Sequence, residues 1–287
     1  MKYFFLSSSH LEDRIWFRDD EDFKAGMNFV PVAALRCNVF VLAFVLMSNH
    51  VHFVVMGEES QMKEFYSLFK LLYSKYMRRK YGTSRFLREN ALDCREISSL
   101  REGLERVIAY VLMNPVVANI SLDVAGYPWG SGCCYFSSRR TTGRKVSDLS
   151  VRKRSCILHS ILPAGENCIL GEDGYILPES YVCWKKVEVL YKTPSRMSFF
   201  LHNSSKARRL LEEPRAMLPS FKDQCLVLFA KDICLSLFRK SEIIDLEEAE
   251  LQRLVYELSR RSSSDVGQLA RVLGLRPSDV SAILSRV

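Results

Sequence analysis

Residues 39–56 contain two apolar runs that only the polar pair Ser48-Asn49 separates. Both runs are rich in valine, leucine and phenylalanine, and a short polar break between two such runs predicts a pair of β-strands. The longest uninterrupted apolar run, residues 39–47, is far shorter than the ~20 residues that a membrane-spanning helix needs. We therefore expect these strands in the core of a globular fold.

Composition limits the size and the partners of that fold. The chain has 287 residues, 48% of them hydrophobic, which allows two domains or one domain with a substantial appendage. The net charge of +8 favours nucleic acid as a partner, with an anionic membrane surface as the rival and simple solubility as the alternative. The nine cysteines are odd in number and form no C-x-x-C pair, which argues against a disulfide framework or a zinc ribbon. We expect a reducing, cytoplasmic location, since no signal peptide is evident.

Apolar periodicity predicts the other elements of the first half of the chain. The predicted elements are a strand at 3–6, a helix at 19–35 that Pro31 ends or kinks, an amphipathic helix at 61–80, a strand near 86–94 and a second amphipathic helix at 100–113. Basic residues then crowd residues 137–155, which we interpret as a mobile linker.

His50 and His52 flank Val51 within the second β-type run. Because side chains alternate along a strand, both imidazoles should point to the same face, where they would form half of a metal site. The alternative is two unrelated polar residues at the end of a strand. A nucleophile and a third ligand elsewhere in the chain would favour the metal site.

Tyr110 and Asn114 provide candidates for both roles, because a spacing of four residues puts their side chains on one face of a helix. The phenol can act as a nucleophile, and the amide oxygen can bind a hard cation. The alternative is a core tyrosine and an asparagine that ends the helix before Pro115.

Together, the two motifs resemble a known family. Residues 47–55, Met-Ser-Asn-His-Val-His-Phe-Val-Val, are similar to the signature strand of HUH-superfamily single-tyrosine transposases. Residues 110–116, Tyr-Val-Leu-Met-Asn-Pro-Val, resemble the nucleophile helix of the REP-associated branch, and Tyr127-Pro128-Trp129 resembles the segment that follows. The sequence departs from the family pattern at Ser84, which precedes Arg85-Phe86, and at Gly130, which follows Trp129.

The resemblance implies an α+β fold, a ferredoxin-like α/β sandwich with an antiparallel sheet, followed here by a mainly helical C-terminal region. It implies Tyr110 as the nucleophile, His50, His52 and Asn114 as ligands of Mg²⁺ or Mn²⁺, and a 5′-phosphotyrosine intermediate in the cleavage and transfer of single-stranded or hairpin DNA. The predicted domains are a catalytic domain at 1–136, the basic linker at 137–155, a connecting region of undetermined structure at 156–205 and a helical region at 206–287.

Basic side chains on and after the helix at 61–80 are candidates for binding the phosphate backbone. They are Lys63, Lys70, Arg78, Arg79, Lys80, Arg85 and Arg88. Tyr73, Tyr76 and Tyr81 are candidates for stacking on bases. The alternative is a solvated helix face with aromatic residues in the core.

Residues 268–284 have the spacing of a helix-turn-helix, with Ala270 where two helices cross, Gly274 at the turn and Pro277 at a helix start. An ordinary helical hairpin is the alternative. The leading hypothesis is therefore a metal-dependent DNA strand transferase, and a homodimer is left open. The rivals are a non-catalytic DNA-binding regulator and, third, an RNA-binding protein.

Overall fold

Four antiparallel strands form the central sheet. They are β1 (Lys2–Ser8), β2 (Phe40–Met47), β3 (His50–Gly57) and β4 (Leu92–Ile97), in the order β2-β3-β1-β4. The structure is a computed structural model that describes residues 1–8, 15–82, 92–97, 101–118, 120–138, 142–204, 222–262 and 264–285. Helices α1 (Asp20–Arg36) and α2 (Glu59–Tyr81) connect β1 to β2 and β3 to β4. This β-α-β-β-α-β order with an antiparallel sheet is the ferredoxin-like arrangement, so the predicted fold class is confirmed.

Both connecting helices cover the same face of the sheet. Phe53 of β3 packs edge-on against Phe65 and Phe69 of α2, and α2 in turn packs on α1. Asp19 caps α1 by accepting a hydrogen bond from the backbone nitrogen of Asp22. Pro31 lies within α1 but does not end it, because the helix continues to Arg36.

The opposite face of the sheet is covered by α3 (Arg101–Leu112), which is followed by the single turn α4 (Asn114–Val117). Strand register brings Ser7 beside His52 and Phe5 beside Val54, so these side chains share the face opposite Phe53. This second face therefore contains both histidines and the helix that carries Tyr110.

Residues 142–204 differ from the predicted linker and connecting region. They form β5 (Arg144–Lys145) paired with β6 (Ile169–Leu170), and the helices α5 (Val151–Leu158), α6 (Trp184–Tyr191) and α7 (Pro194–His202). Val146, Leu158 and Tyr191 are buried in the same hydrophobic cluster as Phe53. A count of charges alone does not reveal these buried apolar residues.

The C-terminal region has its own hydrophobic cluster. Its helices are α8 (Asp223–Ile233), which continues as a π-helical turn at Cys234–Phe238, then α9 (Glu248–Arg261), α10 (Val266–Leu273) and α11 (Pro277–Leu284). Gly274 joins α10 to α11 in the left-handed conformation (φ 70°), and Ala270 and Val280 are buried between these helices. Over the residues described, no helix is long and apolar enough to cross a membrane.

Candidate active site

Four rings meet on the face of the sheet that α3 covers. The His50 and His52 ring centroids are 4.8 Å apart, and that of Tyr110 is 5.9 Å from that of His52. Phe5 stacks on His52 at 5.5 Å and meets Tyr110 edge-on at 6.0 Å. The structure thus brings both predicted histidines and the predicted nucleophile together within one chain.

The neighbour of His50 orients its imidazole. Nδ1 of His50 lies 2.8 Å from Oδ1 of Asn49, a contact that favours the tautomer with the proton on Nδ1. That tautomer leaves the lone pair on Nε2, the nitrogen that would face a cation. A hydrogen bond to the far nitrogen is the usual way in which a protein orients a metal-binding histidine.

Helices α6 and α7 contact α3 and hold it against the sheet. Glu105 of α3 has a fully buried side chain, whose two carboxylate oxygens accept hydrogen bonds from Arg196 of α7 at 3.0 and 3.2 Å. The Tyr191 hydroxyl donates a 2.6 Å hydrogen bond to the Glu105 carbonyl oxygen. Residues 184–202 therefore support the helix that carries Tyr110. They belong to the region for which the sequence predicted no structure.

Asn114 lies one helical turn beyond Tyr110, as the four-residue spacing predicts. Its side-chain nitrogen donates to the carbonyl oxygens of Tyr110 and Val111 at 2.9 and 3.1 Å. The residue is buried, and these two bonds fix the orientation of its amide. Its amide oxygen remains our proposal for the third metal ligand.

The donor set fits a divalent cation. Two imidazoles on one strand face can bind a single ion, and an amide oxygen suits Mg²⁺ or Mn²⁺. Within the described ranges, no cysteine, carboxylate or further histidine joins His50 and His52 in a three-ligand cluster. The amide oxygen of Asn114 therefore stays a prediction for the third position.

Asp93 and Arg95 of β4 are neighbours of the site that the sequence did not indicate. Arg95 pairs in register with Phe5, and its guanidinium donates to both Asp93 oxygens at 3.0 and 2.7 Å. The hydrogen bonds and charge of Asp93 raise the pKa of Arg95, with a smaller contribution from Tyr110. The sequence predicts a strand only as far as residue 94, whereas β4 continues to Ile97. The prediction therefore did not include Arg95, whose side chain lies on the same face of the sheet as the histidines.

The basic helix α2 lies on the other side of the sheet from His50, His52 and Tyr110. Lys63, Lys70, Arg78, Arg79 and Lys80 are therefore not part of this site. Lys80 forms ion pairs with Asp19 and Asp22 at 2.6 and 2.8 Å, and Arg79 donates to the His159 carbonyl oxygen. Arg85 and Arg88 lie outside the described residues. DNA binding by this helix remains a prediction.

The proposal that tyrosines of α2 stack on bases needs correction. Tyr73 is fully buried, with its hydroxyl bonded to the Trp16 carbonyl oxygen, and Tyr76 is 6% exposed. Both face the core because α2 packs on α1. Tyr81 is half-buried and donates to Asp19 and Asp22.

The departure at Gly130 has a structural reason. Gly130 bridges Val45 at the outer edge of β2, where a Cβ atom would lie 2.9 Å from the Phe44 carbonyl oxygen. The Tyr127 hydroxyl donates to the Leu46 carbonyl oxygen, so the whole segment is fastened to the strand next to the histidines.

Neither a protein-family model nor a curated protein matches the chain. Among solved structures, the chain is similar to one described as "Structure of the REP associates tyrosine transposase bound to a REP hairpin". The identity is 13%, the match covers 57% of this chain and 86% of that chain, and the TM-score is 0.34. At that score the likeness carries no weight, and the fold assignment depends on strand order and helix placement in this chain.

Proposed function

We propose that this protein cleaves and rejoins single-stranded or hairpin DNA through a covalent bond between Tyr110 and a 5′-phosphate. The observation that carries this proposal is the packing of Tyr110 against His52, 5.9 Å between ring centroids, beside the second histidine. A phenol beside two same-facing imidazoles joins a nucleophile to the donors of a metal site. A protein that only bound DNA would have no chemical need for that set.

In the proposed reaction, the Tyr110 oxygen attacks the phosphorus of the scissile phosphodiester. The Tyr110 phenol loses its proton as the bond from phosphorus to its oxygen forms, the bond to the 3′-oxygen breaks, and the leaving 3′-oxygen takes up a proton. Attack by another 3′-hydroxyl reverses these changes and joins a new strand without ATP. A neutral phenol is a poor nucleophile, because its ordinary pKa is about 10.

His50, His52 and Asn114 would hold a divalent cation, which when bound would polarise the phosphate and favour the phenolate. The Asn49 contact presets the orientation of the His50 ring, and Phe5 holds both His52 and Tyr110. Imidazole ligands are slightly unusual for Mg²⁺, which makes Mn²⁺ the better first choice in an assay.

Arg95 would contribute charge from the exposed edge of the site. Its side chain is 73% exposed and neighbours Phe5, so it can reach a phosphate that enters from solvent. A guanidinium binds phosphate through two parallel hydrogen bonds, and an incoming phosphate would compete with Asp93 for them.

The proposal is tested with a 5′-labelled and a 3′-labelled DNA hairpin incubated with the protein and Mn²⁺. We expect a protein–DNA adduct that survives boiling in detergent, and that disappears with a chelator, in Tyr110→Phe and in the double variant His50→Ala with His52→Ala. Tyr3→Phe is the matched control, since Tyr3 lies on the same face of β1 but pairs with Met56 at the far end of β3.

The DNA-binding regulator is the second candidate, favoured by the helical pair α10–α11 with its left-handed glycine turn. The same experiment separates the two functions. Wild-type protein that shifts the hairpin in a gel but never forms the adduct, with Mn²⁺ or Mg²⁺, would support the regulator and overturn the transferase.

A further inference from the structure

Two short turns on the outer side of β2 bring three potential metal ligands together. Cys133 and Cys134 lie on a 3-10 turn at Gly132–Cys134, and Glu179 lies on another at Pro178–Ser180. One ligand atom from each residue lies within 4.8 Å of the other two. Across the described ranges, this is the sole cluster of three histidine, cysteine or carboxylate ligands.

Two buried polar atoms at this cluster have no hydrogen-bond partner within the described part of the chain, and a bound cation could supply each with an interaction. Oε2 of Glu179 and the hydroxyl of Tyr181 are both buried and have no hydrogen-bond partner among the described residues. Cys134 is 4% exposed, and Tyr181 stands two residues after Glu179 in the chain. A buried carboxylate oxygen without a donor is costly and rare in folded proteins, and a bound cation removes that cost.

We propose that Cys133, Cys134 and Glu179 bind a zinc ion. Two sulfur ligands and one carboxylate favour zinc over Mg²⁺ or Mn²⁺, which prefer oxygen ligands, so this site differs in chemistry from the one at His50 and His52. Binding releases the two thiol protons to solvent, and the two thiolates and the carboxylate offset the charge of the ion. The fourth position of a tetrahedral ion is left for Tyr181 or for water.

The position of the cluster indicates a structural role for the zinc. The segment before Cys133 is fastened to β2, because the Leu46 nitrogen donates to the Trp129 carbonyl oxygen at 2.8 Å. The turn after Glu179 reaches the same strand, because the Cys183 nitrogen donates to the Val41 carbonyl oxygen at 2.8 Å. A shared ion would therefore join two separate segments beside the strand that pairs with the histidine strand.

The test measures the zinc content of the full chain in a variant from which the proposed His50–His52 metal site has been removed. Protein carrying His50→Ala and His52→Ala is purified from zinc-supplemented cells under reducing conditions, and its zinc is measured by mass spectrometry. We expect a single zinc ion per chain, lost when Cys133→Ser and Cys134→Ser are added and retained with Cys156→Ser, because Cys156 is exposed. The readout does not involve DNA cleavage, so its result is independent of the proposed reaction.

A second variant covers the case in which the serine variant fails to fold. Glu179→Gln keeps the shape of the side chain and removes one charged ligand. Zinc added to chelator-treated protein should raise the melting temperature of the His50→Ala, His52→Ala background and raise that of its Glu179→Gln derivative much less. Zinc content no higher in the background than in its cysteine variant would overturn the proposal. So would a Cys133–Cys134 disulfide that persists in protein purified under reducing conditions.

Discussion

The hydroxyl of Ser48 donates a 2.7 Å hydrogen bond to the carboxylate of Asp223, a residue 175 positions further along the chain. Asp223 begins α8 and is 3% exposed, and it also accepts hydrogen bonds from Gln268 and Arg271 of α10 at 2.9 and 3.3 Å. Ser48 directly precedes Asn49 and His50. The C-terminal helices therefore contact the turn that directly precedes His50 and strand β3.

Replacement of Asp223 by alanine should destabilise the protein by about 3 kcal/mol. The substitution removes one partner of a buried ion pair and leaves the Arg271 guanidinium and the Ser48 hydroxyl without their acceptor. Urea unfolding followed by circular dichroism measures this change. Asp232→Ala, an exposed position on the same helix, is the matched control and should stay within about 0.5 kcal/mol of wild type. Equal stability of the two variants would contradict the coupling between the two regions.

Local patterns in the sequence predicted individual elements better than the contacts between them. The strand pair around Ser48-Asn49 and the turn at Gly274 each depend on residues close together in the chain, and the structure contains both. The bond between Ser48 and Asp223 joins distant residues and has no periodic signal. For the same reason, the charge of α2 did not show which face of the sheet this helix covers.

The candidate site was predicted in part. Alternation along β3 places His50 and His52 on one face, and the four-residue spacing places Asn114 next to Tyr110, as the sequence indicated. The contributions of Phe5 and Arg95 depend on strand register between β1 and its two neighbours, which one sequence does not reveal. The support of α3 by α7 depends on an ion pair across 91 residues.

Arg196→Ala should weaken both folding and DNA cleavage. The variant leaves the buried Glu105 carboxylate without its two charged hydrogen bonds, at a cost of about 1.5–3 kcal/mol in the free energy of unfolding. Because Glu105 lies on α3, Tyr110 should lose some of its alignment with His52. Adduct formation at a temperature where the variant is folded should therefore be slower than in wild type. Arg152→Ala, at an exposed arginine of α5, controls for the loss of a positive charge.

The stability of the protein should fall in mild acid because of His159. Burial of this ring, together with the nearby Arg79 guanidinium, lowers the pKa of His159 below its usual value of 6.5. The folded state therefore binds the proton less readily than the unfolded state, so the stabilising contribution is complete above about pH 6.5 and is lost as the pH falls through the folded-state pKa.

Urea unfolding at a series of pH values between about 5 and 7.5 tests this sign. His159→Asn should flatten the dependence, and asparagine tolerates the left-handed backbone found there (φ 47°). His202→Gln, at an exposed histidine, should leave the dependence as in wild type. A wild-type stability that rises on acidification through this range would contradict the assignment to His159.

Arg95→Ala should slow adduct formation more than it weakens hairpin binding. Arg95 neighbours Phe5 on the face that carries His52 and Tyr110, so its charge should act on the phosphate that Tyr110 attacks. We expect a loss of about tenfold in rate, below the effect of removing a buried oxyanion donor, because solvent screens an exposed side chain. Arg95→Lys should recover part of the rate, since lysine keeps the charge but not the paired hydrogen bonds.

Single-turnover adduct formation is measured with saturating protein in excess over the hairpin. Comparison with the gel-shift affinity for the same hairpin separates rate from binding. Arg36→Ala is the matched control, because Arg36 ends α1 on the opposite side of the sheet. A role confined to backbone binding would instead lower the affinity of Arg95→Ala for the hairpin, reduce the salt dependence of that affinity, and leave the saturated rate as in wild type. That outcome would remove Arg95 from the candidate active site while leaving Tyr110 and the histidines in it.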